Sequence, residues 1–472
     1  MSLAAAISTA QTIFSNTGQQ TAIVSKNIAN SGNADYVRRL AMMGVDSQGS
    51  HYIKIERAQN DALFKQNISN ISIASSQSRL LDGLQLMQSV FGGNEYPSSP
   101  SNYLATFRAS MQTYAAAPGN VTIAASTIAD AKDLAYSLST SSVAIQDVRA
   151  SADKEILEQV GQLNDYLTQF GTVNNEIVGK IATGKDASDA LDQRDKLLKA
   201  MSEIIGLSTS TRSNMDTVIY SSDGTVLFET IPRKITFAPT QAYNATVTGN
   251  KVYVDGIALK GGTGGNTTGE GSLSSMLQLR DDLAPKMQSQ LDEIARGLVT
   301  MFQEGGAPGL FTWSGGTVPA AATLEPGMAA SIQVNPMADA DPTILRDGGF
   351  NGVVSNTDGN AGYTALLDSY IVAMDTTMSF DTAADLGGTS TIMTYASSSI
   401  GWLEQLRKAA TTGNENKTAM LAQTQQALSN ETGVSLDEEL SLMLDLEQSY
   451  KASAKLLSTI DEMLTTLLDT VR

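Results

Sequence analysis

The residues whose types and spacing could do chemistry are Gly179, Gly184 and Lys185 in GKIATGKD, the single histidine His51, the carboxylates Asp339 and Asp341, and the glycine-rich run at 261–271. A phosphate-binding loop needs a hydroxyl after its lysine to reach magnesium, and a strand ahead of its first glycine. Here Asp186 follows the lysine and an apolar heptad pattern precedes Gly179, so the stretch reads as a helix end. A histidine triad or multi-histidine metal site would rest on His51 alone, in a strand-like segment with no GxSxG turn in the chain. Asp339 and Asp341 lack the spacing and closing glutamate of a calcium loop. The glycine run reads as a connection, and Asp281, Asp282 and Asp437 to Glu439 read as charges that complement helix starts. No catalytic, cofactor-binding or metal residue is expected, and the chain is not expected to be an enzyme.

Composition narrows the classes further. With 472 residues the chain can form about three domains. It has no cysteine, which excludes disulfide and thiolate chemistry. A net charge of −18 with no clustered basic face argues against nucleic-acid binding. No apolar run is long enough to cross a membrane, and MSLAAAISTAQTIF lacks the basic start of a secretory signal, so export would use another route.

The elements that dominate the pattern are therefore long helices. In the last forty residues Leu436, Leu440, Met443, Tyr450, Leu457, Leu464 and Leu468 fall on alternating four- and three-residue steps interrupted by Glu447 and Asp461. A second stripe, including Leu446, Leu456, Ile460, Met463 and Leu467, runs beside it, making the apolar face wider than one partner helix requires. Ser435 is placed to cap this helix. At the other end Leu3, Ile7, Ala10, Phe14, Thr17, Thr21, Val24 and Ile28 keep the same spacing, so the two termini read as halves of one coiled coil.

Between the termini, HYIKIER alternates like a strand, and Leu80, Leu84, Met87 and Phe91 mark a helix. Ile156, Val160, Leu163, Leu167, Phe170, Ile177 and Ile181 mark a long heptad face broken at Asn174. DTVIYSSDGTVLFET and KVYVDGIAL alternate around Asp-Gly turns, the signal for tight hairpins in a small inserted β domain. The fold class is α+β, an elongated multidomain chain with a terminal α-helical coiled coil, a long-helix bundle and that β insertion. Its expected domains are 1–57 with 431–472, 58–206 with 270–305 and 351–430, and an outer β domain at 207–269 with 306–350.

Several of these segments resemble one family. SKNIANSGNADYVRR at 25–39 and the C-terminal helix resemble the end signatures of flagellar axial proteins, with Asp35 standing where glycine is usual. LDQRDKLL, beginning at Leu191, and GSLSSMLQLRD, beginning at Gly271, resemble segments of the hook-filament junction proteins, the FlgK family. SIQVNPMADADP resembles another.

The resemblance implies a structural protein of the bacterial flagellum that joins hook to filament, secreted by the flagellar type III route and located outside the cell. It implies self-assembly through paired terminal helices, contact with hook protein, a second junction protein and an export chaperone, and no membrane insertion. Axial-core packing is then expected of Leu3, Ile7, Phe14, Val24, Ile28, Leu436, Leu440, Met443, Tyr450, Leu457, Leu464 and Leu468. Chaperone or subunit contact is expected of Leu456, Ile460, Met463 and Leu467. The alternative is another axial protein such as the hook subunit, which would show a mostly β middle.

Overall fold

A computed structural model describes residues 3–45 and 51–470. Helix α1 (Leu3–Ala29) is followed by a hairpin of β1 (Arg39–Val45) and β2 (His51–Arg57). Next come α2 (Asp61–Val90), α3 (Pro100–Ala116), the 62-residue α4 (Val121–Ala182) and α5 (Ser188–Ile204). Their starts are set by polar side chains: Asn60 Oδ1 accepts from Leu63 N at 3.0 Å, Ser99 caps α3 ahead of Pro100, and Asn120 Oδ1 accepts from Thr122 N at 3.0 Å. The GKIATGKD stretch is the end of α4, with Gly184 at φ 70° making the turn toward α5.

Strands β3 (Leu207–Thr211), β4 (Thr217–Ser221) and β5 (Val226–Phe228) form one antiparallel sheet. Strands β6 (Ile235–Thr236), β7 (Tyr253–Val254) and β8 (Ile257–Ala258) form another. Asp255 and Gly256, at φ 49° and 82°, both occupy the left-handed region that the tight β7–β8 turn demands. Helix α6 (Ser272–Gln278) passes through a π-helical turn at Leu279–Leu283 into α7 (Ala284–Met301). After three one-turn helices at Met328–Ser331, Met337–Ala340 and Ile344–Asp347, the longer helices are Ala365–Asp375, Ile392–Thr432 and the C-terminal helix Leu436–Thr470.

The chain divides into two compact units. The first comprises Met1–Ser72, Asn164–Arg233 and Thr418–Arg472, and the second comprises Ile73–Leu163 and Lys234–Lys417. The two three-stranded sheets thus fall in different units. In the first unit Leu167, Phe170 and Ile177 are fully buried, and Phe170 packs edge-on against Phe228 with centroids 5.0 Å apart. Asn174, the break in that heptad face, is 1% exposed, because its amide donates to Asp216 at 2.7 Å and its oxygen accepts from Thr217 N at 3.0 Å. In the second unit Leu80, Leu84, Met87 and Phe91 are fully buried, as are Phe107, Phe302 and Phe311, whose rings pack mutually at 5.6, 5.7 and 5.3 Å.

Candidate functional site: the terminal helix pair and its clamp

Helix α1 and the C-terminal helix pack along one another. Phe14 packs against Tyr450 with ring centroids 4.6 Å apart and planes tilted by 38°, while Asn27, thirteen residues further along α1, reaches back to Glu439, so the two helices run antiparallel. On α1 the seam contains Ala10, Thr17, Val24 and Asn27, all at most 4% exposed. On the C-terminal helix Glu439, Leu446 and Ser453 are buried, with Met443, Leu457, Ile460 and Leu464 half-buried between and beyond them. This face takes residues from both sequence stripes. Its repeat runs 439, 443, 446, 450, 453, 457, 460, 464, one position off the apolar-only stripe at every second step.

At its open end the seam is closed by a polar cluster. Asn27 Nδ2 donates to Arg39 O at 2.9 Å and to Glu439 Oε2 at 3.0 Å, and Asn27 Oδ1 accepts from Tyr36 OH at 2.7 Å and Arg39 N at 3.0 Å. Burial pushes the Tyr36 phenol up to about 12, so it remains a donor throughout the neutral range. Arg38 donates from Nε to Glu439 Oε1 at 2.6 Å and from Nη1 to Glu438 Oε2 at 2.8 Å, and its backbone N–H donates to Thr432 O at 2.9 Å. Asn27, Tyr36, Arg38 and Arg39 of the N-terminal signature therefore tie both helices at one point.

The hairpin behind that cluster is gripped by α5. Arg39 and Arg57 are direct cross-strand partners. Asp192 pairs with Arg39 and, at 2.8 Å, with Arg57; Asp195 also takes Arg57, at 2.6 Å, and Asp189 takes Arg39 at 3.2 Å and Lys26 at 2.8 Å. The Lys26 ammonium beside Asp189 holds its carboxyl below the usual range. Arg194, between these acids, turns the other way and donates to Met215 O at 2.9 Å and Thr217 Oγ1 at 2.8 Å, anchoring β4. The charged residues of LDQRD thus all hold the framework together, the two acids on the hairpin and the arginine on the sheet.

The second unit carries a comparable buried cluster at GSLSSMLQLRD. Arg280, with a fully buried side chain, pairs with Asp153 at 2.6 Å and Asp281 at 2.8 Å and donates to Asn250 O at 2.7 Å. Asp153 also accepts from Thr240 N and Tyr243 OH, both at 2.7 Å. The π-helical turn frees the Arg280 carbonyl for Arg149 Nε at 3.0 Å. These contacts pin the chain at 240–250 to two helices. They are full of charge yet saturated by protein, which is the chemistry of a scaffold. Among the described residues no group of three or more His, Cys, Asp or Glu side chains could hold a metal.

The two stretches just described, LDQRD and GSLSSMLQLRD, lie inside residues 84–315, which match the model of the flagellar hook-associated protein FlgK helical domain. Residues 424–470 match the model of the flagellar basal body rod FlgEFG protein C-terminal. The chain belongs to the FlgK family of flagellar hook-associated proteins. It is a family of flagellar structural proteins, not of enzymes. Flagellar hook-associated protein 1 of Salmonella typhimurium is 25% identical over 208 residues, 43% of this chain and 37% of that protein. The protein of the same description from Bacillus subtilis is 23% identical over 363 residues, 68% of this chain and 66% of that one. The match therefore spans little over a third of the Salmonella relative and about two thirds of the Bacillus one. The structure of the flagellar hook junction protein FlgK from Burkholderia pseudomallei aligns with TM-score 0.42 and 19% identity over 53% of this chain and 47% of that one.

The family's expected packing residues are placed unevenly. Val24 is buried, and Ile7, Phe14, Ile28, Met443, Leu457 and Leu464 are half-buried. Leu436, Leu440, Tyr450 and Leu468 are exposed by 47%, 50%, 43% and 68%. Of the residues expected to contact a chaperone, Leu456 and Met463 are exposed and Ile460 is half-buried toward the seam. The side chains of Leu3, Leu467 and His51 lie outside the described residues. Asn27, Tyr36, Arg38, Arg39, Arg57 and Glu439 come together only in the fold, and their sequence spacing does not mark them as a cluster. The signal that could have found Glu439 is the heptad counted through polar residues, which places Glu439 and Ser453 in line with Leu446 and Ile460.

Two of the chemistry-bearing stretches have plain structural uses. Asp339 pairs with Lys132, and Asp341 accepts from Thr343 N at 3.0 Å. In the glycine run, Thr267 N donates to Gln77 Oε1 at 3.0 Å and Lys417 donates to Thr267 O at 2.7 Å, so this connection is fastened within the second unit.

Proposed function

We propose that this chain is a structural subunit of the bacterial flagellum that joins the hook to the filament. Copies of it assemble in the flagellar axis through the terminal domain, 1–57 with 431–472, while the remaining helical and β segments form the outer parts. It reaches the outside of the cell through the flagellar type III channel, unfolded or partly folded, and meets hook protein on one side and a second junction protein on the other. Before export, a chaperone covers Leu456, Ile460, Met463 and Leu467.

The observation that carries this reading is the terminal pair itself: it seals a seam yet leaves large apolar side chains in water. Leu436, Leu440 and Leu444, exposed by 47%, 50% and 59%, follow at four-residue steps on one flank, and Leu456 and Met463 lie on the other. Since each is already about half buried, it contributes about 0.7–1.5 kcal/mol when a neighbour covers the rest, so several per copy acting together can drive assembly.

Expression of a chain ending at Thr432 in a strain lacking the full-length gene tests the reading. Loss of both chaperone binding and filament attachment is expected. A truncated chain that still bound the chaperone and restored filaments would overturn it.

A further inference from the structure

We propose that the buried Asn27–Glu439 hydrogen bond sets the register of the terminal helix pair. The other layers of the seam cannot do so. Ala10, Phe14, Thr17, Thr21 and Val24 face Met443, Leu446, Tyr450, Ser453 and Leu457, all uncharged and of mixed size. A slip by one heptad again returns only uncharged residues to every one of those layers while moving one helix about 10 Å along the other. Only one layer of the described seam contains a carboxylate, and Glu439 is 1% exposed there.

That layer admits a single alignment. Asn27 uses both amide hydrogens and both lone pairs of its oxygen, with Glu439, Arg39 and Tyr36 as partners. After a slip, Asn27 would face Leu446 with a donor unmatched, and Glu439 would lose both Asn27 and the Arg38 guanidinium that now lies 2.6 Å away. Leaving such groups buried without partners is disfavoured strongly enough to reject the alternative. A polar pair in an apolar seam thus gives up some stability and supplies a unique alignment. The alignment matters because it decides where the exposed flanks at Leu436–Leu444 and Leu456–Met463 stand relative to α1. The inference rests on the intramolecular pairing and holds whatever the chain assembles with.

The absence of cysteine makes the test direct. Full-length protein carrying Phe14→Cys with Tyr450→Cys reports the observed register, and Phe14→Cys with Leu457→Cys reports the slipped one; each is oxidised and the cross-linked product quantified. The 14–450 product is expected to exceed the 14–457 product at least tenfold. With Asn27→Leu and Glu439→Leu added, the two yields are expected to come within threefold. Glu439→Gln, which keeps a carbonyl for Asn27, is expected to preserve the original preference. Retention of that preference in the double-leucine protein, or slippage of the glutamine variant to the same extent, would overturn the proposal. Absence of the 14–450 product from the parent would overturn the pairing itself.

Discussion

Arg39 and Arg57 stand directly opposite one another on β1 and β2, and one carboxylate, Asp192, binds both. Like charges in that position repel, and these two side chains are only 2% and 5% exposed. Asp192 and Asp195 convert the repulsion into a three-dimensional lock between hairpin and α5. Asp192→Asn is expected to destabilise the first unit by about 2–4 kcal/mol, since it leaves buried guanidinium groups short of a counter-charge. Urea unfolding followed by hydrogen exchange at β1 and β2 checks this; exchange at the hairpin amides should accelerate before the rest of the unit.

Arg280 predicts a comparable effect in the second unit. Arg280→Met strands Asp153, 2% exposed, and should cost about 3–5 kcal/mol. Gly249→Ala probes the same cluster without removing charge. A Cβ at Gly249 would lie 2.5 Å from Arg280 Nε and 2.8 Å from Tyr243 OH, so the guanidinium must shift. A loss of about 1–3 kcal/mol is expected for that overpacking, read as a lower midpoint of thermal unfolding.

Asp292 gives the pH prediction. Its carboxylate accepts from Gly327 N at 2.9 Å, Ala329 N at 2.8 Å and Gln288 Nε2 at 3.0 Å, yet burial outweighs these bonds and pushes its pKa up from 3.8 to about 6. The folded state therefore holds this proton more tightly than the unfolded chain. The resulting stabilisation is complete below the unfolded value of 3.8 and is lost as pH rises through 6. Between pH 7 and pH 5 the parent should gain about 1 kcal/mol relative to Asp292→Asn. Denaturation curves of both proteins at the two pH values measure it, and a difference that does not change with pH would contradict it.

How much of this was legible in the sequence depends on the range of the interaction. Local periodicity placed α1, α4 and the C-terminal helix, because strict four-three spacing of Ile7, Phe14, Val24 and Ile28, or of Leu163, Leu167, Phe170 and Ile177, has one physical meaning. Asp255–Gly256 marked its turn for the same reason. Glu439 and Ser453 escaped notice because a seam read only through apolar residues slides to Leu440 and Ala454. The bond from Arg149 to the Arg280 carbonyl in the π-helical turn at Leu279–Leu283 has no local signal, because the two residues lie more than a hundred positions apart, whereas the turn itself directly precedes Pro285, which cannot donate to the helical ladder. The same holds for Arg39, Arg57 and Asp192, whose pairing depends on a hairpin register and a distant helix together. Nor did composition separate β3–β5 from β6–β8, which are assigned to different units by their packing.

The exposed flank separates assembly from stability. Leu436→Ser with Leu440→Ser removes side chains that are about half in water, so the free protein should unfold within about 0.5 kcal/mol of the parent. Under the proposed role the same protein should restore few or no filaments in a deletion strain. Normal filament numbers with unchanged stability would show that this flank is not used.

Whether this chain joins hook to filament is decided by electron microscopy of cells from which its gene has been deleted, with the medium assayed for shed flagellin. Complete hooks without filaments and flagellin free in the medium are expected, reversed by the intact gene. Cells without hooks would contradict that role and assign the chain to an earlier part of the axis.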